Sequence, residues 1–285
     1  GCDSMVRSFS TWSHSLPYSY FQFINIPTVC VESSFEFFNA EINTFRQSLE
    51  RFSGKAITDV DLREAIRIHN ESRDKVRALY EFRKADPPLV SGTELTMVLT
   101  VGSSLPIAEA NRLFDQVLAE IGRRGKSPLK KGPRIFIDGA CLDNIELTQL
   151  VEELGGNVVA DTICNGARDH FPKTDVGGNP VDALSRRYLE RINCPKTYRE
   201  NKTGTFEGDI AVRFGDIGAY TQEFKVEGAI LYVYKYCDPF GFEVPARKAY
   251  YQSIDIPLLC LEDVYSAGTM GQLRTRIQAF LEMIS

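Results

Sequence analysis

Gly228-Ala229-Ile230-Leu231-Tyr232-Val233-Tyr234-Lys235-Tyr236-Cys237-Asp238-Pro239-Phe240 decides the fold class. Up to Tyr234 it is an apolar run without polar alternation, the pattern of a strand buried on both faces. Such strands belong to parallel sheets covered by helices. The run then stops at Lys235 and turns through Cys237-Asp238-Pro239 toward a helix expected from about Phe242, with Pro245 near its first turn. A strand running into a helix is half of a βαβ unit, and ligands of parallel sheets bind beyond the carboxyl ends of the strands. Cys237 stands at such an end.

Working outward, the same rhythm repeats. Arg134–Asp138, Asn157–Asp161 and Pro257–Leu261 read as further strands. Helices are expected from Asp143-x-x-Glu146 to Leu154, from Val181, over Phe206–Phe224, and over Gly271–Ile284. Upstream the pattern differs. A short helix around Met5–Trp12 and a strand at Phe21–Ile26 precede four helices. These begin at the capping box Ser33-x-x-Glu36, after Thr58, at Ser91-x-x-Glu94 and at Pro106. The charged, Gly- and Pro-bearing stretch Arg123–Pro133 separates the two regions. The expectation is an α/β protein with residues 1–125 as a truncated N-terminal α/β domain carrying a helical segment, and 133–285 as a C-terminal α/β domain.

Bulk properties exclude several classes. The chain has 285 residues and a net charge of −5, so nothing favours a nucleic-acid partner. No apolar stretch has the length to span a bilayer, and a cytoplasmic protein is expected. Seven cysteines (Cys2, Cys30, Cys141, Cys164, Cys194, Cys237 and Cys260) are dispersed without C-x-x-C spacing, which argues against a disulfide scaffold. Any metal site must be assembled from distant parts of the chain.

Cys2-Asp3 and Cys237-Asp238 are the two Cys-Asp pairs. A strand-end thiol before a helix N-terminus meets unpaired amide donors and a positive dipole end, both of which favour a thiolate or an anionic cluster. The same position also suits a buried structural cysteine. Cys260, inside a strand, reads as core; Cys141 sits at a strand end, and Cys164, Cys194 and Cys30 lie in loops. His14, His69 and His170 are too scattered for a metal motif, with His69 expected on the surface. Arg274 and Arg276 open the last helix, where cations oppose the dipole, so an anionic neighbour is expected to hold them.

Lys235-Tyr236-Cys237-Asp238-Pro239-Phe240, together with Gly268-Thr269-Met270-Gly271-Gln272-Leu273-Arg274-Thr275-Arg276-Ile277-Gln278-Ala279-Phe280, resembles the signature of the 2-hydroxyacyl-CoA dehydratase and benzoyl-CoA reductase subunits. Gly1-Cys2-Asp3-Ser4 is similar to the family's second cysteine motif, and Ala183–Pro195 also fits. The resemblance implies two Rossmann-like parallel-sheet domains. It implies a [4Fe–4S] cluster held by three cysteines, of which Cys2 and Cys237 match two by motif; the third would lie upstream of residue 1. It implies an acyl-CoA substrate, a homologous cluster-binding subunit in a heterodimer, and an ATP-hydrolysing iron–sulfur activator. The stretch from Lys235 to Pro245 is closer in pattern to benzoyl-CoA reductase subunits, with a 2-hydroxyacyl-CoA dehydratase subunit as the alternative. A double-cubane electron-transfer protein and a cluster-free structural subunit are further alternatives. No catalytic residue is singled out.

Overall fold

The computed structural model describes residues 3–264 and 270–285. Five helices come first: α1 (Asp3–Ser15), α2 (Glu32–Ser53), α3 (Asp59–Glu81), α4 (Gly92–Ser103) and α5 (Ile107–Arg124). Then follow β1 (Arg134–Gly139), α6 (Glu146–Glu153), β2 (Asn157–Thr162), α7 (Ala167–His170), α8 (Pro180–Arg186) and a π turn at Arg187–Arg191. The chain closes with α9 (Phe206–Glu223), β3 (Gly228–Tyr234), α10 (Asp238–Ser253), β4 (Leu258–Asp263) and α11 (Met270–Ile284).

The four strands form one parallel sheet in the order β2-β1-β3-β4. Ile137 of β1 pairs with Ile230 of β3, and Leu231 of β3 with Cys260 of β4. The apolar run of β3 is therefore a central strand, as its composition requires. The order reverses between β1 and β3, so the crevice beyond their carboxyl ends is the switch point of the sheet. Gly139 ends β1 there. A Cβ on it would lie 2.4 Å from the Tyr232 carbonyl oxygen, so only glycine fits.

Each face of the sheet is covered, which is what an α/β protein needs to bury two-sided strands. On one face Phe136, Val159, Ala160 and Ala229 pack with Val76, Leu79 and Tyr80 of α3, Leu95 and Leu99 of α4, Phe114 of α5, Phe214 of α9 and Tyr251 of α10. On the other, Ile135, Ile137, Ile230 and Tyr232 meet Leu147 and Val151 of α6 and Ile277 and Phe280 of α11. Arg83, 1% exposed, anchors the segment after α3 to the sheet: its Nε and Nη2 donate to the Val158 carbonyl at 3.1 and 2.7 Å. The side chain of Glu152 in α6 accepts the Gly92 and Thr93 amides and the Thr93 hydroxyl, which places a carboxylate at the N-terminus of α4. Among the described residues, the sheet strands all follow residue 133, and no helix is long and apolar enough to cross a membrane.

Several local expectations are corrected. Phe21–Ile26 forms no strand. It lies between Pro17 and Pro27, and α2 side chains take its polar groups: Glu41 accepts the Asn25 amide at 2.8 Å, and Tyr20 donates to Ser48 at 3.0 Å. The Ser33/Glu36 capping box is absent because α2 already begins at Glu32, with Val31 at its N-cap. The boxes at Thr58/Asp61 and Ser91/Glu94 do form. Asp143 does not cap α6, whose N-cap is Ile145. Asn165 instead grips both the amide and the carbonyl of Leu142, which sets the course of that loop. Finally, α10 begins at Asp238 rather than near Phe242. Pro239 fills its first turn, and Pro245 falls inside the helix.

Candidate functional site

The site is built at the carboxyl end of β3. Lys235 donates its amide to the Asp263 carbonyl at 2.7 Å, tying the ends of β3 and β4 together. The chain then turns sharply: Tyr236 adopts φ +66°, a left-handed conformation unusual for a non-glycine residue. That turn puts Cys237 at the N-cap of α10. Its amide donates to the Tyr234 carbonyl at 3.0 Å, and its carbonyl accepts from Gly241 at 2.8 Å. The N-terminus of a 16-residue helix, with its first-turn amides and positive dipole end, thus directly follows Cys237.

A cleft of about 530 Å³ opens beside this turn, lined among others by Tyr236, Cys237, Phe242, Lys248, Cys260 and Arg276. Tyr236 and Phe242 are 89% and 85% exposed, two aromatic rings standing in solvent on either side of Cys237 in sequence. Cys260 was expected in the core, yet it is only partly buried and shares the cleft with Cys237. Burial pushes the Cys260 thiol up, and the nearby cations of Lys248 and Arg276 act against that shift. Arg276 also donates to the Cys260 carbonyl at 2.6 Å.

Beneath the cleft lies a lattice of buried charges that the sequence did not reveal. Asp138 of β1 is fully buried. Arg247 of α10 donates to both of its carboxylate oxygens, at 2.6 Å to Oδ1, and Tyr251 donates to Oδ2 at 3.1 Å. Arg247 also pairs with Glu243 at 2.9 Å, and Glu243 pairs with Arg213 of α9. Arg168 donates to the Gly139 carbonyl at 3.0 Å. The guanidinium groups of Arg168 and Arg247 stand over the Phe240 ring, at 5.2 and 5.1 Å. Burial works against the charge of Arg247, but the carboxylates of Asp138 and Glu243 more than offset it and raise its pKa. These contacts tie α10, from Phe240 through Arg247 and Tyr251, and with it Cys237 at its N-cap, to the end of β1.

The remaining singled-out residues sort clearly. Cys2 lies outside the described residues, as do Gly268 and Thr269 of the C-terminal motif. Cys141 and Cys164 are exposed in the loops after β1 and β2, where the Cys164 amide donates to the Ala140 carbonyl at 3.1 Å. Burial, with Asp143 and Cys164 nearby, pushes the Cys141 thiol up. Cys30 and Cys194 belong to loops near Tyr198. His69 is exposed, as expected. Arg274 is held by Glu153 at 2.8 Å, the anionic neighbour its position called for. Position within a strand could have placed Cys260 on the α10 side of β4 once the register was known; sequence spacing alone could not.

The sequence matches, over residues 1–284, the family model described as 2-hydroxyglutaryl-CoA dehydratase, D-component. The chain belongs to this dehydratase family. It is 26% identical over 255 residues to the (R)-phenyllactyl-CoA dehydratase beta subunit of Clostridium sporogenes, covering 89% of this chain and 65% of that protein. It is 24% identical over 291 residues to a benzoyl-CoA reductase subunit of Thauera aromatica, covering 99% and 72%. The beta subunit of lactoyl-CoA dehydratase from Anaerotignum propionicum is 20% identical, with 99% and 73% covered. The dehydratase-family chain thus spans about two thirds of the length of the first of these relatives.

Membership raises the question of whether these residues suit an iron–sulfur cluster. Cys237 suits one ligand position: a partly exposed strand-end thiol, beside helix amides, in an open cleft with two cations. Among the described residues, however, no three His, Cys, Asp or Glu side chains converge as a metal site requires. Within them the ligand set does not close.

Proposed function

We propose that this chain is the iron–sulfur subunit of an anaerobic, ATP-dependent acyl-CoA enzyme of the benzoyl-CoA reductase type, working in the cytoplasm. The observation that carries the reading is the placement of Cys237 at the N-cap of α10, in an open cleft at the switch-point end of the sheet. Cys2 and Cys237 would hold a [4Fe–4S] cluster together with a third cysteine from outside this sequence. When bound, the cluster would supply low-potential electron transfer to an acyl-CoA thioester.

What the chain itself contributes is position and field. The Asp138–Arg247–Glu243 lattice fixes α10 against β1, while Lys248, Arg276 and the helix amides would place positive potential on an anionic group in the cleft. The exposed rings of Tyr236 and Phe242 offer apolar surface where a homologous partner would close the cleft and exclude water. An ATP-hydrolysing iron–sulfur activator would deliver the electrons.

The names of the relatives support a second reading, a subunit of a 2-hydroxyacyl-CoA dehydratase, since phenyllactyl-CoA and lactoyl-CoA dehydratase subunits match alongside the reductase one. Anaerobic co-purification of the complete protein with its partner, followed by iron analysis, tests the common part. The wild type should carry the broad visible absorption of a cluster and Cys237→Ser should lose it; unchanged iron in Cys237→Ser would defeat the assignment. Turnover of benzoyl-CoA against a 2-hydroxyacyl-CoA with activator and ATP then separates the two readings. An iron content well above about four per chain would favour a double-cubane protein, and an iron-free chain would favour a structural partner.

A further inference from the structure

The junction of α3, α7 and the π turn holds more positive charge than it balances. Arg73 of α3 is 9% exposed, and among the described residues its hydrogen-bond acceptor is a neutral one, the Asn70 side-chain oxygen at 2.9 Å. Arg187 of the π turn is 1% exposed and donates to the Pro172 carbonyl and to both the carbonyl and the carboxylate of Asp169. Two buried guanidinium groups therefore share one half-exposed carboxylate. A buried cation without a counter-charge is strongly unfavourable.

Unused donors mark the same place. Among the described residues, Arg187 Nη1 and Thr174 Oγ1 are buried with no hydrogen-bond partner. Thr174 is joined to Arg73 through Asn70, which exchanges hydrogen bonds with the Thr174 backbone at 2.7 and 3.0 Å. The rim is accessible, since His69 is exposed and Tyr188 is 46% exposed. Partial desolvation pulls the His69 imidazole down even at this exposed position, and Arg73 and Arg187 pull it further in the same direction, as a locally positive field should. A π turn at this position also breaks the regular helical ladder, a distortion often found at binding sites.

We propose that this junction binds a small oxyanion of the phosphate class, held by Arg73, Arg187 and Thr174. Two guanidinium groups and a hydroxyl from separate elements supply charge-assisted donors of the kind that hold phosphate oxygens. The site uses α3, the loop after α7 and the π turn, none of which lines the Cys237 cleft, so it stands independently of the function proposed above.

Calorimetric titration of the full chain with inorganic phosphate in chloride-free buffer tests it. Wild type should give saturable binding and a rise in melting temperature that follows the same saturation. Arg73→Met should bind about tenfold or more weakly, while melting higher than wild type without phosphate because a buried, unpaired charge has gone. Thr174→Val, which keeps both cations, should bind more weakly with its folding intact. NMR of the histidines adds a readout within wild type: phosphate should raise the His69 pKa. A parallel titration with adenosine monophosphate separates a free-ion site, silent to the nucleotide, from one that accepts a phosphate ester. Absence of saturable heat in wild type, or equal phosphate stabilisation of wild type and Arg73→Met, would overturn the proposal.

Discussion

Replacing Arg247 by methionine gives the sharpest test of how the site is held. Arg247 sits in the interior with a fully buried Asp138 on one side and Glu243 on the other. Methionine fills much of the aliphatic volume but removes the cation. Asp138 is then left with the Tyr251 hydroxyl and with Arg168 no closer than 3.8 Å. Removing one partner of a buried ion pair costs about 3–5 kcal/mol, because the other charge stays buried and uncompensated. For a chain of this size that corresponds to a melting temperature lower by about 6–10 °C. Urea unfolding followed by tyrosine fluorescence and circular dichroism measures it. The cause is isolated by the double variant Asp138→Asn/Arg247→Met, in which the stranded charge becomes a neutral amide. It should recover roughly 1–2 kcal/mol of the single-variant loss, since an unsatisfied neutral group costs less than a buried charge. If the double variant is no more stable than Arg247→Met, the charge argument fails. Arg247 would then act by packing on Phe214 and Phe240, over whose rings it stands at 4.9 and 5.1 Å.

Further outcomes follow from the same geometry. Gly139→Ala should lower stability by about 1–3 kcal/mol in urea unfolding, because its Cβ would meet backbone rather than a movable side chain. Tyr236→Gly should leave stability nearly unchanged, the relief of a left-handed backbone offsetting glycine's entropy, whereas Tyr236→Val should lose about 1–2 kcal/mol at the same site. His69 and His170 both have imidazole pKa values held below the ordinary range, chiefly by desolvation, which for His69 acts at an otherwise exposed position. The unfolded chain therefore binds more protons just below the ordinary histidine value of about 6.5, so their contribution to stability is complete above it and is lost as pH falls through the window beneath it. Stability measured from about pH 7.5 to 5.5 should decline accordingly, and His170→Gln should flatten part of that decline.

What the sequence disclosed and what it hid divide along physical lines. The β3 run was legible because a strand buried on both faces needs an unbroken series of apolar positions, and little else in a chain of this composition looks like that. The helices after Thr58 and Ser91 were legible because capping is a local exchange between residues three apart. The same signal misled at Ser33, where the preceding residue was also able to enter the helix. Phe21–Ile26 looked like a strand because its apolar content suits one, but a strand needs a neighbour, and this segment found the side chains of α2 instead. Cys237 was visible by its place after β3. Its cleft partners were not: Cys260 and Arg276 reach it only through the β3–β4 register and the docking of α11. Asp138 and Arg247 are 109 positions apart, and nothing within either neighbourhood announces the pair.

That hidden pair changes how the exposed cysteine should be understood. The thiol sits at a helix N-cap in an open cleft, and Tyr236 and Phe242 on either side of it in sequence are almost wholly in solvent. Hydrophobic packing is only partial there: Leu231, Val233 and Phe240 support Cys237 from below. The Asp138–Arg247–Glu243–Arg213 lattice orients the helix that carries it, linking β1, α10 and α9 through directional bonds. A buried ionic lattice of this kind contributes little net stability compared with apolar residues of similar volume, because desolvation consumes most of the Coulombic gain. Its contribution is to make one arrangement of α10 better than its neighbours. On that reasoning, an apolar replacement of the whole lattice should leave the fold stable while loosening the start of α10. Hydrogen exchange at the Gly241 amide, which bonds the Cys237 carbonyl, would then quicken even though global unfolding does not.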